Sequence, residues 1–371
     1  MKKVLLATTM LVAGASVAAA EVTLSGTARM GVVSNGFDNI TTLNTDESEP
    51  VFTSRARVEF KLSQETDTGL SFGASFRADN AGDASNGLAG NVFVSGAFGT
   101  LTMGDIDGAA QMATGNVDSK SLTGLGDVAD ATFIGAGGLN ITNPRILAAQ
   151  GVVAGVNQTN PNDTQDPTLR YEYTAGAFTG YFSLTNSADS LVNIAPQGAA
   201  AADNRLASNA QAMAIGARYT FGDYYIGVGY EKVEGFIAPN AAGAVGAGVR
   251  PVDNTDLKHA ILTVGGEVAG FTFKGLYGKA SGTYAGANVV TAATSGKQYA
   301  ASASYTMSGI TGTVFYTDDS GMPGAGATVA YGVGASYDLG GGAELVGGIA
   351  KTKVAGPADN TAFDFGINLT F

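Results

Sequence analysis

Cysteine is absent from the 371 residues, which excludes a disulfide scaffold and any thiolate metal site. Histidine occurs once, at His259. Charged side chains make up 14% of the chain, against the ~25% usual in soluble domains. The charge that is present is acidic, with a formal net of −12, which argues against nucleic acid as a partner. Past the first twenty residues no apolar run is long enough for a membrane-spanning helix. A large chain without these resources must draw its stability from extensive packing or backbone pairing. Glycine, by contrast, reaches 54 residues, and Phe, Tyr, Val and Leu are too plentiful for a disordered chain.

Residues 1–20, "MKKVLLATTMLVAGASVAAA", combine Lys2 and Lys3 with an apolar middle and a small-residue end at Ala18–Ala20. That pattern predicts a secretory signal peptide cleaved before Glu21, and hence an exported protein. Residues 21–371 are expected to form one domain, because no composition break interrupts the pattern that follows.

That pattern has period two. In "VFTSRARVEFKLS" Ala56, Val58, Phe60 and Leu62 form one face, and Arg55, Arg57, Glu59 and Lys61 the other. The same alternation runs through 21–33 and 70–78, and through the terminal segment bearing Phe363, Phe365, Ile367, Leu369 and Phe371. Further segments lie near 91–95, 100–105, 168–174, 179–186, 210–220, 224–232, 256–264, 271–279, 297–307, 311–317, 328–337 and 343–351. No amphipathic helix is evident outside the signal peptide. Short Gly- or Asp-containing turns such as "GAFG", "FGDY" and "SGI" suit tight hairpins. They alternate with longer polar connections, around 35–50, 79–90, 105–167, 187–209, 233–255, 280–296, 318–327 and 352–360.

Fifteen connections of alternating length join about sixteen antiparallel strands. The fold class expected is all-β: a transmembrane up-and-down barrel whose long loops share one side. A closed barrel is also the one β architecture able to cross a bilayer. Its apolar rows face lipid and its polar rows an aqueous lumen. Tyr171, Tyr173, Tyr219, Phe221, Tyr224, Tyr225, Tyr230, Tyr337 and Phe371 are expected in interfacial girdles.

Catalytic chemistry is poorly supplied. Nothing around "DLKHAIL" gives His259 a nucleophile to activate, so a hydrolase reading is weak and no enzyme is expected. "GDIDG" alternates Asp105 and Asp107 but lacks the other carboxylates of a calcium loop, and the glycine runs lack a strand-to-helix context for nucleotides. No cofactor is therefore expected, with calcium a minor option.

The electrostatic anomaly lies elsewhere. Arg29, Arg55, Arg57 and Arg77 all fall on the polar parity of the first three strands. Arginine keeps its charge, so this group calls for a water-filled lumen. Residues 105–167 are too long for an ordinary connection and carry Asp105, Asp107, Asp118, Asp127 and Asp130 beside apolar residues. Folded inward, the loop would set acidic groups across from the arginine wall and create a transverse field.

The segments "EVTLSGTARMGV", "SRARVEF", "TDTGLSFGASFRA", "VFVSGAFGTLTMGD", "YTFGDYYIGVGYEK" and "YGVGASYDLGGGAELVGGIA" resemble the general porins of Gram-negative outer membranes, most of all those of photosynthetic purple bacteria. The resemblance implies a sixteen-stranded homotrimeric channel in outer-membrane lipid, with the third external loop folded into the lumen. Small hydrophilic solutes and ions would cross it passively. The basic wall of that family matches Arg29, Arg55, Arg57 and Arg77 here. Asp105 follows the "MGD" motif directly, and the remaining loop acids correspond by region. Phe371 resembles the terminal aromatic read by the outer-membrane insertion machinery. The constriction loop is longer than in the relatives after Asn140. A substrate-selective channel and an adhesin or structural barrel are the alternatives.

Overall fold

The structure, a computed structural model, describes residues 21–34, 50–79, 89–104, 106–125, 128–134, 168–186, 190–193, 205–208, 211–236, 253–286, 289–322, 328–354 and 359–371. The first half of the chain forms β1 (Glu21–Ser34), β2 (Val51–Glu65), β3 (Ser71–Asp79), β4 (Ala89–Gly96), β5 (Gly99–Gly104), helix α1 (Ala109–Thr114), β6 (Thr168–Ala175) and β7 (Phe178–Asn186). Then come β8 (Ser190–Asn193), β9 (Arg205–Ser208), β10 (Gln211–Phe221), β11 (Tyr224–Phe236), β12 (Asp253–Val268) and β13 (Phe271–Gly286). The last five strands are β14 (Val289–Met307), β15 (Ile310–Asp318), β16 (Thr328–Gly340), β17 (Ala343–Val354) and β18 (Asp359–Thr370).

Sixteen of these strands close into one antiparallel barrel, β18 returning to β1, while β8 and β9 pair only with each other. Closure leaves no ladder edge unpaired, the condition for β-structure in hydrocarbon. The sixteen strand segments read from the sequence correspond one to one with the barrel strands. Hairpin chemistry follows the turn residues. At Ala269–Gly270 and Ser308–Gly309 both residues have positive φ (49° and 80°; 52° and 80°), which matches the right-handed twist of the flanking strands.

Four expectations change. The connection expected at 280–296 is mostly strand: β13 and β14 stay in register out to Tyr284 opposite Ala292, with Gly286 opposite Val289 beyond a bulge. A second change is the β8–β9 hairpin within the long 187–209 connection. Third, α1 is a helix where none was expected; its six residues are too few to show a helical period. Fourth, Tyr225 does not join a girdle, because adjacent strand residues face opposite ways and Tyr224 takes the outward position. Residues 1–20, where the signal peptide is expected, lie outside the described residues.

Outward positions carry an apolar band that includes Val22, Leu24, Ile215, Val228, Leu262, Val314 and Val333, each more than two-fifths exposed. Aromatics border it in two rows. Tyr224, Phe271, Tyr305 and Tyr337 lie toward the short turns, and Tyr230, Tyr277, Tyr299 and Tyr331 lie six residues along the same strands. That spacing is about 20 Å of strand.

Candidate functional site: a loop seated inside the barrel

The segment after β5 turns inward. Its path is set by an inner wall stripped of side chains where backbone must pass. Helix α1 lies on Gly216 of β10 and on Gly227 and Gly229 of β11. A Cβ at Gly229 would stand 2.8 Å from that of Ala110, and one at Gly216 or Gly227 would run into the carbonyls of Ala109 or Ala113. The Ser183 hydroxyl accepts the Ala109 amide at 2.9 Å, and Arg218 Nε donates to the Ala113 carbonyl at 2.9 Å. The Arg218 guanidinium also lies 4.4 Å from the centroid of the inward-facing Tyr225 ring.

Beyond the helix the chain crosses the wall in steps. Asp118 accepts from Lys274 Nζ of β13 at 2.7 Å, while its amide donates to Ser302 of β14 at 2.9 Å. Lys120 pairs with Glu344 of β17 at 3.2 Å. At the far side Asp364 of β18 receives the Leu122 amide at 2.9 Å, the Thr123 amide at 2.6 Å and the Thr123 hydroxyl at 2.8 Å. The Gly348 amide adds a fourth donor at 3.1 Å. Four donors suit a carboxylate that is only 3% exposed. Arg29 of β1 closes the span by donating to the Leu122 carbonyl at 3.3 Å.

The segment then returns. The Val128 carbonyl accepts from Thr317, and Thr132 exchanges two hydrogen bonds with the Gln298 amide group, at 2.9 and 3.0 Å. The Ile134 amide ends on Glu231 at 3.1 Å. Val117, Leu125, Val128 and Ala129 pack on Ile261, Leu276, Ala300 and Phe315. This part of the inner wall is therefore apolar rather than polar as the alternation suggested, because the loop buries it.

His259 belongs to this fastening. It is fully buried, with Nδ1 2.8 Å from Glu231 Oε1 and Nε2 3.0 Å from Gln298 Nε2. The carboxylate accepts and the amide donates, so the ring carries its proton on Nδ1. Gly278 of β13 leaves the space between the strands in which the ring and the Gln298 side chain meet. A histidine thus enclosed has no access to substrate.

The basic residues read from the sequence fall on adjoining strands. Arg29 and Arg55 are direct cross-strand partners, Arg57 lies two residues along β2, and Arg77 stands opposite Glu59. The loop acids do not form one group. Asp118 faces Lys274, Asp107 lies where Arg170 donates to its carbonyl at 2.8 Å, and Asp130 is exposed. Asp107 is exposed, yet neighbouring atoms take part of the solvent from its carboxyl. That loss of solvent raises its carboxyl pKa, opposed by Arg170. Asp105, Asp127 and the extension after Asn140 lie outside the described residues. Sequence reading overlooked Arg170, Arg218 and Lys274, although each sits on the inward parity of its strand, between Leu169 and Tyr171 in the first case.

The profile of the Gram-negative porin family matches residues 7–356. The porin of Rhodobacter capsulatus is 34% identical over 360 residues, covering 95% of this chain and all of that protein. A solved porin structure refined at 1.8 Å superposes with a TM-score of 0.66 at 31% identity, again over 95% of this chain and all of that one. An engineered Rh. blastica porin, 17% identical, shares the fold with a TM-score of 0.54 over the same proportions. Sequence, barrel and inward loop agree: the chain belongs to the Gram-negative porin family, non-enzymatic β-barrels that form outer-membrane channels for passive diffusion.

Proposed function

We propose that ions and small hydrophilic solutes pass this channel through a charge filter. Its basic side is Arg29, Arg55, Arg57 and Arg77, and its other side is the acidic edge of the inward loop, with Asp107, Asp118 and Asp130 and, by region, Asp105 and Asp127. The observation that carries the reading is the asymmetric seating of the loop. Its anchors run from Ser183 on β7 round to Asp364 on β18 and end at Arg29. The arc bearing Arg55, Arg57 and Arg77 lies beyond the last of these anchors. Solutes crossing between loop and arc meet opposite charges across a narrow aqueous gap, where a low-dielectric wall focuses the field. Lys274 pairs with the Asp118 carboxylate and Arg170 holds the Asp107 carbonyl, which ties both residues to the wall strands.

The chain is further proposed to be exported by residues 1–20 and to act as a homotrimer of residues 21–371, with 105–167 as the constriction loop. Phe371, 77% exposed at the end of the closing strand, is proposed as the residue read by the insertion machinery. No cofactor is proposed.

Recording in a planar bilayer tests the filter. The purified protein should give open-channel steps with little solute preference, and Arg55→Gln with Arg57→Gln should move the reversal potential in a salt gradient toward cations. An unmoved potential would remove the arginines from the constriction. A heat-modifiable gel band, collapsing from trimer to monomer, tests the assembly.

A further inference from the structure

Four lysines stand on the outward face of four consecutive strands: Lys232 on β11, Lys258 on β12, Lys279 on β13 and Lys297 on β14. Lys232 is the direct cross-strand partner of Lys258, and Lys279 of Lys297. Lys279 is also diagonal to Lys258, since Ala260 faces Lys279 and Lys258 faces Ser281. Like charges directly opposite destabilise a sheet, and here two such pairs adjoin in a patch about 15 Å wide. Glu234 and Asp256 offset the first pair, Asp256 at 3.5 Å from Lys258. Among the described residues Lys279 and Lys297 form no ion pair, and both are exposed.

Their height on the barrel is specific. Lys232, Lys279 and Lys297 each lie two residues beyond the tyrosine row of Tyr230, Tyr277 and Tyr299, on the side of the long connections. Below the tyrosines the same faces present Leu262 and Val264 to hydrocarbon. The ammonium groups therefore meet the membrane at headgroup level, on the external leaflet if short turns face the periplasm.

We propose that this patch binds the phosphate groups of an anionic outer-leaflet lipid, whose acyl chains lie on Tyr277, Leu262 and Val264. The inference rests on the outer-membrane reading. Charge complementarity picks a phosphorylated headgroup, since Lys279 and Lys297, opposed and without an acid among the described residues, leave the patch net positive for a dianion, and the apolar wall directly beneath picks a lipid over a free anion.

The test is native mass spectrometry of the intact protein in detergent with bis-phosphorylated lipid A, its dephosphorylated counterpart and inorganic phosphate. Bis-phosphorylated lipid A should bind, with the dephosphorylated form at least about tenfold weaker. Lys279→Gln with Lys297→Gln should weaken the first by about tenfold or more, while Lys279→Arg with Lys297→Arg should retain it. Equal binding of the two lipids, or of the glutamine variant, overturns the proposal. Displacement by millimolar phosphate would replace the lipid with a free anion and overturn it too. Single-channel conductance of the variants, expected unchanged, reports a folded barrel and reads the channel function separately.

Discussion

The carboxylate of Asp364, on the last barrel strand, accepts the backbone amide of Leu122 at 2.9 Å across 242 positions of sequence. With the Thr123 amide and hydroxyl on its second oxygen, it is the far anchor of the loop. Replacing Asp364 by Ala orphans these donors and should cost about 2–5 kcal/mol. The loosened tip should give larger, noisier single-channel steps. Wild-type current in the variant would mean that the tip is held elsewhere.

Gly229 tests the glycine bed. A valine there would meet Ala110, lift α1 toward the lumen and cost about 1–3 kcal/mol. Conductance should fall, and planar-bilayer recording decides; a rise would show that the helix detaches instead.

His259→Ala should lower thermal stability by about 2–4 kcal/mol, because it leaves a cavity and takes one buried hydrogen-bond partner each from Glu231 and Gln298. Selectivity should barely change at neutral pH, the ring being sealed from the lumen. A melting curve paired with a reversal-potential measurement separates these effects.

Asp107 gives a pH signature. Its folded-state pKa is raised above 3.8 by desolvation, against the pull of Arg170. The fold therefore favours the neutral carboxyl: that preference is fully present below the unfolded-state pKa and is lost as pH rises through the raised one. On acidification the cation preference contributed by Asp107 should begin to fade at a higher pH than for an ordinary aspartate. Asp107→Asn should abolish that step in a pH series of reversal potentials. An unchanged series would show that Asp107 is remote from the ion path.

Much of the barrel is legible from alternation alone, because a strand between lipid and water must sort its residues by parity. "SRARVEF" announces both its outward face and its arginine face. The seating of the loop is not legible in the same way. Gly216, Gly229 and Gly366 read as ordinary strand glycines until the segment that passes over them is known. Ile261 and Phe315 break the polar inner row for the same reason, being covered by a segment more than a hundred residues away. Arg170 and Lys274 obey the parity rule and were within reach of it. Tyr225 shows its limit, since of two adjacent tyrosines only one can face lipid.

The anchoring of Leu122 and Thr123 on Asp364 also bears on the order of assembly. The loop leaves the wall after the fifth strand, but its far anchor arrives only with the final one. Until β18 pairs with β1, the constriction cannot be completed. A partly assembled barrel would present a loop without its far anchor and a pore whose filter is incomplete. Insertion and selectivity would then be finished in one event, the zipping of the C-terminal strand, and a chain truncated before β18 would lose both together.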